Sequence, residues 1–93
     1  MKYEIKSYTK RKAAALGVTV KPSTVSGKKI DVFNKKGEKI ASIGALGMGD
    51  YPTFMAKYGK EEAEKHRKAY KARHEKDRHV RGSNGYYADQ LLW

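Results

Sequence analysis

Lys28-Lys29-Ile30-Asp31-Val32-Phe33, then Asn34-Lys35-Lys36-Gly37, then Glu38-Lys39-Ile40-Ala41-Ser42-Ile43 is the stretch that decides the fold. Two β-rich runs flank a Gly-ended turn of hairpin length, which is the pattern of an antiparallel β-hairpin. Side chains alternate across a strand, so Ile30 and Val32 share one face, and Ile40 is expected to join them from the second run. Lys28, Lys29, Lys35, Lys36 and Lys39 then decorate the turn and the edges.

Working back toward the N-terminus, residues 21–27 read as a loop in which Pro22 bars regular pairing, and Val18-Thr19-Val20 is strand-like. Thr9 is placed to cap a short basic helix through Lys10-Arg11-Lys12-Ala13-Ala14-Ala15-Leu16, which Gly17 ends in a left-handed turn. Residues 2–8 alternate polar and apolar and read equally as an edge strand or a flexible terminus.

Beyond the hairpin, residues 44–49 form a Gly-rich link, and Asp50-Tyr51-Pro52-Thr53 opens a helix that Gly59 closes. Phe54, Met55 and Tyr58 are expected to bury one side of it. The longest helix is predicted over 60–79, with Ala63, His66, Tyr70, Arg73, His74 and Asp77 on an inward stripe and Lys65, Lys68 and Lys76 opposite. A polar inward stripe needs partners, because an unpaired buried polar group is costly. Arg73, His74, Asp77 and Trp93 are therefore assigned to a structural network. Ser83 or Asn84 caps a final short helix whose Tyr86, Tyr87, Leu91 and Trp93 supply apolar surface and fold back on the long helix. The fold class that results is α+β: one domain over 1–93, with a hairpin or short antiparallel sheet packed on a long helix and a C-terminal aromatic helix.

Composition narrows the function. The chain has 93 residues, no cysteine, and 21 Lys plus Arg against 10 Asp plus Glu, a formal net charge of +11. A surplus of like charges stabilises nothing by itself, so it points to a negatively charged partner. Without cysteine there is neither a disulfide framework nor a thiolate metal site, and an intracellular setting is expected. No leader peptide is legible, and no run approaches the ~20 apolar residues of a membrane span.

Enzyme motifs fail on spacing. Gly44, Gly47 and Gly49 suggest a phosphate loop, but no Gly-Lys-Ser/Thr follows; only backbone N–H groups there or at the Pro52 helix start remain for a phosphate. His74 and His79 lie five residues apart, which on a helix points their rings some 140° apart, too far to share a metal. A nuclease built on His66, His74, Asp77 and Arg73 is the weaker explanation of residues that a structural network also explains. No catalytic residue, cofactor or metal site is assigned. Basic groups interleaved with tyrosines remain: Tyr8 with Lys10, Arg11 and Lys12, and Tyr70 with Lys68, Lys71 and Arg73. Cations neutralise phosphates and aromatic faces stack on unpaired bases. The candidate contacts are Lys10, Arg11, Lys12, Lys28, Lys29, Lys35, Lys36, Lys68 and Lys71.

At Lys29-Ile30-Asp31-Val32-Phe33, Ala41-Ser42-Ile43-Gly44-Ala45, Asp50-Tyr51-Pro52-Thr53, Arg73-His74-Glu75-Lys76-Asp77-Arg78, Gly85-Tyr86-Tyr87-Ala88-Asp89 and Leu92-Trp93, the chain resembles an uncharacterised family of small basic proteins encoded by nucleocytoplasmic large DNA viruses, the giant viruses. The likeness runs from Tyr8 to Trp93. It implies a protein of infected cytoplasm or nucleus, or of the virion, and supplies no catalytic residues. The expected function is sequence-independent nucleic-acid binding, DNA before RNA, by phosphate neutralisation. The alternatives are a minor virion component bridging larger capsid or core proteins, and a small metal-dependent nuclease.

Overall fold

The hairpin forms where its two runs lie, and a third strand joins it. The computed structural model describes residues 3–93 as α1 (Ser7–Leu16), β1 (Thr19–Pro22), β2 (Lys28–Phe33), β3 (Lys39–Ala45), α2 (Tyr51–Tyr58), α3 (Lys60–Arg73) and α4 (Asn84–Leu92). The strands make one antiparallel sheet in the order β1-β2-β3. This is a small single α+β domain.

Register decides which side chains reach the core. Ile30 lies opposite Ile43 and Val32 opposite Ala41, and the pairing then shifts so that Phe33 meets Lys39. Ile40 has no partner there and is 36% exposed, so β3 contributes Ala41 and Ile43 to the core in place of Ile40. The turn explains the shift. The Asn34 side chain accepts the N–H groups of Lys36 and Glu38 at 2.9 and 3.0 Å, holding Glu38 in the turn, and the extra residue becomes a bulge.

The first helix starts earlier than Thr9 implies. Its N-cap is Lys6, which makes no side-chain cap, while Thr9 is fully buried and donates its hydroxyl to the Leu91 carbonyl at 2.9 Å. Gly17 ends the helix at φ 76°, the left-handed conformation that leaves no Cβ to clash. Of the two readings of residues 2–8, the edge strand does not form among the described residues: 3–6 are irregular, with Tyr3 and Ile5 packed against the core, and Ser7 and Tyr8 open α1. Met1 and Lys2 lie outside the described residues. β1 extends through Pro22, which pairs with Ile30; β1 is an edge strand, where a missing N–H is tolerated.

α4 packs on β3 and α1, and α1 on β1. Ala13, Leu91 and Leu92 therefore meet Ile30, Val32, Ala41 and Ile43 in an aliphatic core. Burying each large aliphatic side chain contributes about 1.5–3 kcal/mol before entropy is counted.

The α2–α3 hairpin differs from expectation at both ends. α2 buries Tyr51 and Pro52 in its first turn and half-buries Phe54, whereas Met55 and Tyr58 are 39% and 61% exposed. Its docking is fixed at the N-terminus by Asp50, so the far end projects. α3 stops at Arg73, and residues 74–82 are successive turns, with Asp77 N–H donating to the His74 carbonyl and Val80 N–H to that of Asp77. On a continuous helix Lys71 and Arg78 would sit about 10 Å apart along the axis. The turns bring both cations to one buried carboxylate, Asp89. Ser83 caps α4, its hydroxyl accepting from the Tyr86 N–H at 3.1 Å. Among the described residues no helix is long and apolar enough to cross a membrane.

Candidate nucleic-acid interface

Three buried aspartates come first, because they determine which cations are left. Asp50 caps α2 through the Thr53 N–H at 3.0 Å, and its other oxygen takes the Lys29 ammonium at 2.8 Å and the Tyr3 hydroxyl at 2.6 Å. Burial alone would raise its carboxyl's pKa; the Lys29, Thr53 and Tyr3 bonds outweigh that and hold it below the ordinary value. Tyr3 moves the other way, pushed up by burial first and then by donating to a carboxylate.

Asp31 sits on the opposite sheet face, 2% exposed, under the loop that follows β1. Its oxygens accept from Ser23 at 2.6 Å, Ser42 at 2.8 Å and the Thr24 N–H at 3.2 Å, with Lys39 at 3.3 Å. Burial again opposes ionisation, and the hydroxyl and amide donors overcome it, holding the carboxyl far below its usual range. Asp89 takes Lys71 at 2.8 Å and Arg78 at 3.7 Å.

Two of the expected contact lysines are engaged in these pairs. Lys29 is 4% exposed and bound to Asp50, so it faces inward rather than decorating an edge. Lys71 is drawn to Asp89, because an unneutralised buried carboxylate is far costlier than a tethered surface lysine. Lys12 is half-buried and turned toward Tyr8, whose hydroxyl it reaches at 3.4 Å. The remaining expected cations divide by place. Lys10 and Arg11 are exposed on α1, and Lys35 and Lys36 are exposed on the hairpin turn. Lys35 lies over the end of α1, its Cε 3.3 Å from where a Gly17 Cβ would stand. Arg11 is about 9 Å of helix rise from that point. Lys28, half-buried, is at the other end of β2, about 17 Å away. Lys68 is exposed on α3 among Glu61, Glu64, Lys60 and Lys65.

The expected structural network forms in part. His74 lies 3.3 Å from Asp77 and stacks on Tyr70 at 4.3 Å, and Tyr70 stacks on Trp93 at 4.5 Å with ring planes 10° apart. Arg73 does not join it: it is exposed, with no ion-pair partner among the described residues. His66 is likewise on the surface, stacked on Phe54 at 3.9 Å and 9°. Together these rings wall a cleft of about 490 Å³ between α2–α3 and α4, with Lys29 and Asp50 at its buried end and Arg73 and His74 at its rim. Sequence reasoning grouped His66, Tyr70, Arg73 and His74 but missed Phe54 as their partner. Beside the cleft, the Arg67 guanidinium lies 3.7 Å from the Tyr51 ring and donates to Tyr8 at 3.2 Å, tying α3 to α1 and α2.

At the start of α2 Pro52 has no N–H, and the Asp50 carboxylate already takes that of Thr53. Among the described residues no group of three or more His, Asp or Glu side chains is placed to hold a metal. No family model, curated protein or solved structure matches the chain. The arrangement is that of a small α+β domain whose buried carboxylates are each met by a lysine and whose exposed Lys10, Arg11, Lys35 and Lys36 make no ion pair among the described residues.

Proposed function

We propose that the protein binds nucleic acid, DNA foremost, largely without regard to sequence, by neutralising phosphates with the α1 and hairpin-turn cations. The observation that carries this reading is the division of the lysines. Lys29, Lys39 and Lys71 serve Asp50, Asp31 and Asp89, while Lys10, Arg11, Lys35 and Lys36 are exposed on adjoining elements without an acidic partner among the described residues. Cations held together yet unpaired repel one another unless a polyanion joins them. The giant-virus resemblance fits a genome-associated role of this kind.

Affinity for a mixed-sequence duplex is expected to fall steeply with salt, with a log-log slope near 0.9 per phosphate contacted and little difference between sequences. A flat salt dependence overturns the reading. A second reading draws on Leu46, Met48, Met55 and Tyr58, which are 42%, 66%, 39% and 61% exposed. Apolar side chains of this kind suit a minor structural component of a particle. Co-sedimentation with capsid proteins after nuclease treatment, with weak DNA binding, would favour it.

A further inference from the structure

We propose that the aromatic cleft takes up one unpaired nucleobase of a bound strand, its carbonyl edge toward the Lys29 ammonium and its phosphate at Arg73. The inference rests on the nucleic-acid reading and deepens it, because phosphate neutralisation alone does not distinguish single from double strands.

Three features point to this occupant. The lining is aromatic: Phe54, His66, Tyr70, His74 and Trp93 form one connected cluster, with His66 stacked on Phe54, His74 and Trp93 each stacked on Tyr70, and the Phe54 ring 6.0 Å from that of Trp93. Flat heteroaromatic rings stack on such walls irrespective of base identity, which suits a protein that does not read sequence. The buried end is polar. Lys29 carries three donors; Asp50 takes one at 2.8 Å and the Tyr3 ring lies 5.1 Å from the ammonium, with no second hydrogen-bond acceptor for it among the described residues. An aliphatic occupant would leave those donors without a partner at depth, whereas a base carbonyl accepts from them. The rim is cationic, since Arg73 is exposed and unpaired among the described residues, and Asp50 is already neutralised by Lys29. A volume of about 490 Å³ is within the range of small-molecule sites and has room for a base with its sugar.

Gly49 belongs to the same construction. A Cβ there would come 2.2 Å from the tip of the Phe54 ring, so the bare backbone is what lets Phe54 lie flat as a wall.

Trp93 is the only tryptophan, and its emission reports on the cleft directly. Four probes are titrated at low salt: a short oligothymidylate, an abasic strand of equal length, thymidine monophosphate and inorganic phosphate. The oligothymidylate should bind roughly tenfold tighter than the abasic strand. Trp93 emission should change with it and with the mononucleotide, but not with inorganic phosphate. His66→Ala removes an exposed side chain, so the fold survives, as circular dichroism will verify; it should shrink the advantage of the base-bearing strand severalfold and leave the abasic affinity unchanged. Equal affinity for both strands with silent Trp93 overturns the cleft proposal and leaves phosphate binding standing. If neither strand binds, the nucleic-acid reading fails, and a mononucleotide that leaves Trp93 unchanged disposes of the cleft as well.

Discussion

The aliphatic core between the sheet and α1–α4 and the aromatic cleft between α2–α3 and α4 are built on opposite logic. In the first, Ile30, Val32, Ile43, Leu91 and Leu92 are at most 1% exposed and belong to one buried apolar cluster. In the second, ring stacks surround a buried Lys29–Asp50 pair and open to solvent at Arg73 and His74. A small domain with few aliphatic residues closes its core on one side and leaves the other concave, and polar groups hold that second side in shape. The comparison separates two kinds of lysine: Lys29, Lys39 and Lys71 neutralise the buried aspartates, whereas Lys10, Lys35 and Lys36 make no ion pair among the described residues.

The largest effect is expected at the joint between the two regions. Asp50→Ala strands the Lys29 ammonium in the interior, removes the α2 cap and frees the Tyr3 hydroxyl. Breaking such a buried pair costs about 3–5 kcal/mol. That is comparable with the whole stability of many small domains, about 5 kcal/mol at the low end. Urea denaturation should show a chain largely unfolded without denaturant. The double variant Lys29→Met with Asp50→Ser keeps a capping hydroxyl and removes both charges, and it should recover most of the loss. If it does not, the pair is not what joins the regions.

Gly49→Ala should cost less, about 1–3 kcal/mol, because Phe54 must swing away from the cleft to admit a methyl group. Its effect should be confined to one region: Trp93 emission shifts through the Phe54 contact at 6.0 Å, while amide exchange in β2 stays as slow as before. Uniformly faster exchange would show that the cleft and the aliphatic core are not separable.

Acid should act on the sheet side through Asp31 as well as on the cleft through Asp50. Both carboxyls have folded pKa values below their unfolded ones, so their contribution is complete above about pH 4 and is lost as the pH falls through the folded values. The urea midpoint should be flat from neutrality to about pH 5 and drop below pH 4. Asp31→Asn should flatten part of that drop, and an unchanged acid limb would mean that Ser23, Ser42 and Lys39 do not hold the carboxylate as the geometry indicates.

The same division governs what the sequence discloses. The hairpin, the Gly17 terminus, the Pro52 helix start and the Ser83 cap follow from local rules of periodicity, capping and turn chemistry, and each lies within a residue or two of its expected place. Ile40 was not legible because a single bulge, set by the Asn34 side chain, exchanges which β3 residues face inward. Lys29, Lys71 and the end of α3 were not legible because they answer to Asp50 and Asp89, 21 and 18 residues away. Nothing local in Lys28-Lys29 says which of the two turns inward. The candidate site follows suit: the polar stripe of α3 showed that His66, Tyr70 and His74 cluster, but Phe54 and the Gly49 backbone that admits it come from another element.

The smallest effect on stability is expected where the effect on binding is greatest. Lys10, Arg11, Lys35 and Lys36 make no ion pair among the described residues, so replacing each with alanine should change the urea midpoint by no more than about 0.5 kcal/mol. Each such change should also lower the magnitude of the salt slope for duplex DNA by about 1, without altering preference among sequences. Lys71→Ala is the opposing control: it leaves the Asp89 carboxylate with only the longer Arg78 contact at 3.7 Å, so it should lower stability and leave the slope unchanged. If Lys71→Ala reduces the slope as much as Arg11→Ala does, the inner and outer lysines are one population, and phosphate binding is not localised to α1 and the hairpin turn.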